Sequence, residues 1–170
     1  MKKNNKGFSY VEMILVLAIV AIMMGMITLS LGMVNRANIN RGAEHLESYL
    51  ERARTQSMAR NQLRGTLTIS CVDGAYYCYV GDPAYASSNS ELLISAPSVQ
   101  IGYYVNGGTS MEILDSGETL RIMYSSASGA FQPISTSGST AEYCTSIVIM
   151  NGDKSRTIVL HTATGKCTLQ

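Results

Sequence analysis

The chain has 170 residues, of which 46% are hydrophobic and 15% charged; this accommodates one domain of modest size plus an appendage and excludes a second large core. The formal net charge is +1, yet from Gly65 onward four basic residues (Arg121, Lys154, Arg156, Lys166) stand against eight acids, a balance of −4. Phosphate binding depends on neutralising charge, so an acidic C-terminal part opposes it.

In chain order, the first element is "KKNNKGFSYVEMILVLAIVAIMMGM", residues 2–26. Lys2, Lys3 and Lys6 give way to an apolar run in which Glu12 is the only charged side chain between Phe8 and Val34. As a helix, residues 8–34 reach about 40 Å, against a hydrocarbon core of roughly 30 Å, so a transmembrane span is expected. The lysines favour a cytoplasmic N-terminus with the remainder exported. A cleaved secretory signal has an apolar core of roughly 7–15 residues, shorter than this one. A lipoprotein signal ends in a cysteine, and the first here is Cys71. Glu12 costs about 2.5–3.5 kcal/mol at membrane depth, so it needs either a route toward the lysines or a cation from another chain.

The segment "KGFSYVEMILVLAIVAIM" resembles the class III signal of type IV pilins and type II secretion pseudopilins. A basic leader ends in Gly7, the aromatic Phe8 follows, a glutamate lies at the fifth residue after the glycine, and an apolar helix comes next. The resemblance implies that residues 1–7 are a leader removed by a prepilin peptidase after Gly7. It also implies that Phe8 becomes an N-methylated N-terminus and that residues 8–34 are the transmembrane and polymerisation half of a long helix. Such a cut places an α-amino group at the depth of Glu12. A neighbouring subunit shifted along the assembly axis can then offer its amine to the acid, and a subunit at the wrong height leaves the charge unpaired.

Residues 35–62 read as the amphipathic half of that helix. Ile39, Ala43, Leu46, Leu50, Ala53 and then Ser57 or Met58 recur at spacings of four and three, which is one helical face. Arg41, Glu44, Glu47, Glu51, Arg52, Arg54 and Arg60 lie between them and read as a solvated face. Gly25, Gly32 and Gly42 each weaken the helix by up to about 1 kcal/mol relative to alanine, which permits bending or local melting. Many major pilins have a proline near the position of Leu29.

From 65 to 170 the pattern is of short β-type runs: "GTLTISCV", "YYCYV", "LLISAPSVQIGYYV", "MEIL", "LRIMYSS", "TSIVIMNG" and "RTIVLHTATG". These predict an extracytoplasmic antiparallel head. "GDPAYASSNSE" and "SASGAFQPISTSGSTAEY" are expected as exposed loops, "DSGE" as a turn and "NGDKSR" as a hairpin tip. "LERARTQSMARNQ", "LRIMYSSASGAFQP" and "SRTIVLHTATGKC" are similar to segments of H-type minor pseudopilins and FimT/FimU-type minor pilins. The resemblance implies an α+β, type IV pilin-like fold, with one long helix packed on two small antiparallel sheets.

Cys71, Cys78, Cys144 and Cys167 all follow the span and allow three pairings. A four-residue loop from Asp73 to Tyr76 in "CVDGAYYC" sets Cys71 opposite Cys78, which leaves Cys144 with Cys167. No CxxC motif is present, and His45 and His161 read as surface or packing residues, so no metal or cofactor is expected. Neither a phosphate loop nor an elbow serine nor an informative cysteine and histidine pair marks an enzyme. The resemblance implies a non-enzymatic minor subunit of a type IV pilus or type II secretion pseudopilus, first in the bacterial inner membrane and then in the filament, at or near its tip. Its implied partners are other pilin or pseudopilin subunits, the prepilin peptidase and the inner-membrane assembly platform. The competing readings are a major pilin and a DNA-binding minor pilin with a basic patch around Lys154, Arg156 and Lys166.

Overall fold

The computed structural model describes residues 9–95, 98–137 and 140–170, with the side chains of 25–35, 87 and 135–140 outside that description. The expected cleavage pair, Gly7 and Phe8, lies outside the described residues. The chain divides into two units, residues 1–36 and residues 37–170. One helix, α1 (Tyr10–Ala59), belongs to both by sequence, and it stays helical through Gly25, Gly32 and Gly42.

Within the second unit, α1 buries the stripe that the four-and-three spacing predicts. Ile39 and Ala43 are buried, Leu46, Leu50 and Ala53 are fully so, and Ser57 takes the last place while Met58 stays half exposed. The serine wins because its hydroxyl has an acceptor there, donating at 2.8 Å to the carbonyl of Tyr124. Gly42 has a packing role rather than that of a hinge. A Cβ at this position would collide with the Ile94 side chain, so its absence lets helix and sheet approach closely.

Among the described residues, eleven strands form three antiparallel sheets. The first contains β1 (Leu67–Val72), β2 (Ala75–Val80), β3 (Glu91–Ser95) and β6 (Thr119–Ile122), in the order β3-β2-β1-β6. The second contains β4 (Gln100–Val105), β5 (Met111–Ile113), β9 (Cys144–Asn151), β10 (Lys154–His161) and β11 (Lys166–Leu169), in the order β11-β10-β9-β4-β5. β7 (Ser135–Ser137) and β8 (Thr140–Glu142) pair alone, within a stretch expected as a plain loop. The α+β class and the antiparallel head are as expected, with a third small sheet in addition.

Two expected elements are corrected. "LLISAPSVQIGYYV" reads as one strand run, but it divides into β3 and β4, which belong to different sheets. The residue before Pro97 is the sequence signal for that break. The β1–β2 connection is not a four-residue loop: Val72 pairs with Ala75 across the two-residue turn Asp73-Gly74, both with positive φ (50° and 77°). That is the primed turn that Asp-Gly favours.

One core serves both larger sheets and the helix stripe. It takes Leu67, Ile69 and Ile122 from the first sheet and Ile101, Ile147, Ile149 and Ile158 from the second. Each such side chain contributes roughly 1.5–3 kcal/mol on burial. The end of the helix is tied down by a cluster around Tyr124 and Phe131, whose rings lie 4.6 Å apart. Arg54 does not belong to the solvated face: it is half-buried and its Nε donates to the carbonyl of Gly129 at 3.2 Å.

Candidate assembly segment and head sites

The candidate assembly residue, Glu12, lies in the first turn of α1 and is exposed. Its backbone N–H donates to the carbonyl of Ser9 at 3.0 Å, as does that of Met13 at 3.1 Å, so Ser9 begins the helix. A carboxylate in this first turn gains about 0.3–1 kcal/mol from the helix dipole. Ser9 and Glu12 also have the S-x-x-E spacing of a capping box in "SYVE".

Around Glu12 the helix is apolar on every side. From Tyr10 to Met24, twelve large hydrophobic side chains are exposed, from 41% at Val20 to 81% at Tyr10. A helix that is hydrophobic all round is one whose surface is covered by lipid or protein. Among the described residues no helix is long and apolar enough to cross a membrane. The described apolar side chains cover 10–24, and the rest of the expected 8–34 span lies outside them.

All four cysteines are free thiols. The two-residue turn sets Cys71 opposite Tyr76 and Cys78 opposite Ile69, so the expected Cys71 to Cys78 pair stands diagonally and not face to face. β10 lies between β9 and β11, which separates Cys144 from Cys167 by two strand spacings, about 9.6 Å. A bridge needs Cα atoms within about 7 Å, so neither strand register presents the expected Cys144 to Cys167 pair. Burial pushes three of the thiols up, Cys144 to about 12, Cys167 to about 11 and Cys78 further still. Such thiols are poor nucleophiles.

The other singled-out residues fall on the surface. His45 is exposed, and the exposed His161 has Nε2 at 3.1 Å from the Thr168 hydroxyl. Asp115 and Glu118 close their own turn, the Glu118 carboxylate accepting from the Asp115 N–H at 2.9 Å. Among the described residues there is no cluster of three or more metal-ligating side chains. The basic patch of the competing DNA-binding reading is not assembled. Lys154 begins β10, whereas Lys166 pairs with His161 at its other end, seven residues or about 23 Å along the strand. Arg156 is instead engaged with Asn40, its Nε donating at 2.8 Å.

Sequence reasoning missed the Arg54 contact. Gly129 and Gly165 both have positive φ (68° and 65°), and the Gly165 backbone lies against the Gly129 carbonyl so closely that a Cβ would overlap it. The glycines in "SGAF" and "ATGK" were visible, but only the packing brings them together.

No curated protein and no solved structure matches the chain. Residues 2–28 match the model of the prokaryotic N-terminal methylation motif, which gives this chain a type IV pilin-like class III signal.

Proposed function

We propose that the chain is a non-enzymatic minor pilin or pseudopilin, built into a type IV pilus or type II secretion pseudopilus through its N-terminal helix. The observation that carries the reading is the all-round apolar exposure of residues 10–24 beside a single acid, within the methylation motif. In this reading the prepilin peptidase cuts after Gly7, Phe8 is methylated, and residues 8–34 anchor the subunit in the inner membrane with the head outside. On assembly, the freed amine of one subunit pairs with Glu12 of the next, and the apolar surface passes from lipid to neighbouring helices. The minor role near the tip rests on the H-type and FimT/FimU-type resemblance of the head segments.

The test separates the pairing from the effect of the acid on the helix start. Glu12→Gln keeps the helix start but removes the charge; incorporation into sheared filaments should fall about tenfold or more while membrane insertion persists. Unchanged incorporation would remove the pairing. Gly7→Val should leave a precursor longer by the leader, read by mass spectrometry, and normal processing would contradict the cut.

A further inference from the structure

Two Asn-Gly pairs occur in the chain, Asn106-Gly107 and Asn151-Gly152. Both belong to tight connections of the five-stranded sheet: the first follows β4, and the second joins β9 to β10. Asparagine before glycine is a reactive pair, because the following backbone nitrogen can close a five-membered ring on the side-chain amide and glycine sets no Cβ in the way. The ring closes only when the side-chain amide, the following N–H and the backbone between them are free to turn. The packing treats the two pairs differently.

Asn106 is held at both reacting groups. It stands in the left-handed region (φ 52°) with Gly107 beside it (φ 68°), and the Gly108 N–H closes the turn on the Val105 carbonyl at 2.8 Å. Its Oδ1 accepts from the Tyr143 N–H at 2.8 Å, and its own N–H donates to the Tyr143 carbonyl at 2.8 Å. The Gly107 nitrogen, the atom that would attack, donates to the Thr145 hydroxyl at 3.1 Å, and that hydroxyl is itself fixed by donating to the Tyr104 carbonyl at 3.2 Å. Asn151 is held by less. It closes the hairpin opposite Lys154, and its amide donates to the Ser98 hydroxyl at 3.0 Å. Gly152 is exposed at the tip, and among the described residues its N–H has no hydrogen bond.

We propose that Asn151 is a site of spontaneous modification, converting to an aspartyl or isoaspartyl residue, and that Asn106 is shielded from the same reaction. At Asn151 the Gly152 nitrogen loses its proton to solvent and bonds to Cγ, ammonia leaves, and water then opens the resulting cyclic imide at one of its two carbonyls. The net change consumes water and releases ammonia, with no oxidant or reductant. Either product adds a negative charge next to Asp153. The isoaspartyl form also lengthens the main chain by one methylene, so the closing pair with Lys154 loses its register. At Asn106 the same ring requires the bonds from Tyr143 and Gly107 to break first. Two hydrogen bonds of ordinary strength make that opening rarer by about tenfold or more.

The test incubates the full chain in detergent at mildly alkaline pH and follows both Asn-Gly peptides by mass spectrometry, with an isoaspartyl methyltransferase as a second label. In the folded chain Asn151 should convert about tenfold faster than Asn106, or more; in urea, where both turns are lost, the two should convert at similar rates. Thr145→Val removes the acceptor of the Gly107 N–H and should raise the Asn106 rate several-fold while leaving Asn151 unchanged. Ser98→Ala should speed Asn151 alone. Near-UV circular dichroism checks that each variant is folded. The inference is overturned by an Asn151 that stays unconverted in the folded chain, by equal rates at the two sites there, or by the same ratio of rates with and without urea. A folded Thr145→Val chain in which Asn106 reacts as slowly as before also overturns it.

Discussion

Residues 10–24 and residues 37–59 have the same backbone conformation and opposite relations to solvent. The first stretch exposes apolar side chains on all sides, while the second confines them to one stripe buried under two sheets. Helix formation alone therefore says little about what stabilises either part. In 37–59 it is tertiary burial within the same chain; in 10–24 the exposed apolar surface calls for a cover of lipid or protein.

Substitutions that act in one region only sharpen this contrast. The largest effect is expected for Gly165→Ala, which forces an alanine to φ +65° and onto the Gly129 carbonyl; the head should lose about 4 kcal/mol of stability. Urea unfolding in detergent reads this through near-UV circular dichroism, because nine of the ten tyrosines lie beyond residue 36. Next, Leu50→Ala should cost about 3 kcal/mol by leaving a cavity, whereas Leu15→Ala in the same helix should not move the unfolding midpoint. Equal losses at the two positions would break the comparison. Ser57→Ala should cost about 1–2 kcal/mol, since the Tyr124 carbonyl loses its donor.

The smallest effect within the working range is on pH. Burial, followed by the hydrogen bond and charge of Glu91, raises Tyr49 to about 12, and burial likewise raises Cys144 to about 12 and Cys167 to about 11. The folded head holds these protons more tightly than the unfolded chain, so its stability is intact below about pH 9 and declines as pH rises through 11 and 12. A urea midpoint that stays flat from pH 8 to 11.5 would contradict this. Thiol titration with an aromatic disulfide reagent should report slow reaction in the native state, Cys167 first, and all four thiols in urea.

The helix stripe was legible because periodicity is a local property; Ile39, Ala43, Leu46, Leu50 and Ala53 follow from spacing alone. The choice of Ser57 over Met58 was not, since it depends on a carbonyl 67 residues away. In the β1–β2 hairpin the expected and observed registers differ by two residues. A slip of two keeps every side chain on its face, so the burial pattern cannot tell them apart and only the Asp-Gly turn decides. The same slip moved Cys78 away from Cys71. β7 and β8 escaped notice because three-residue strands in a Ser- and Thr-rich segment have no usable alternation.

By itself, the sequence determined the lysine, glycine and glutamate order at the N-terminus, the apolar run behind it and the helical stripe, all of which depend on neighbours a few residues apart. Only the tertiary structure decided the division of the strands among sheets, the free thiols and the dispersal of the basic residues. Those depend on which distant segments share a face, and alternation along one strand leaves that open until the strands are paired.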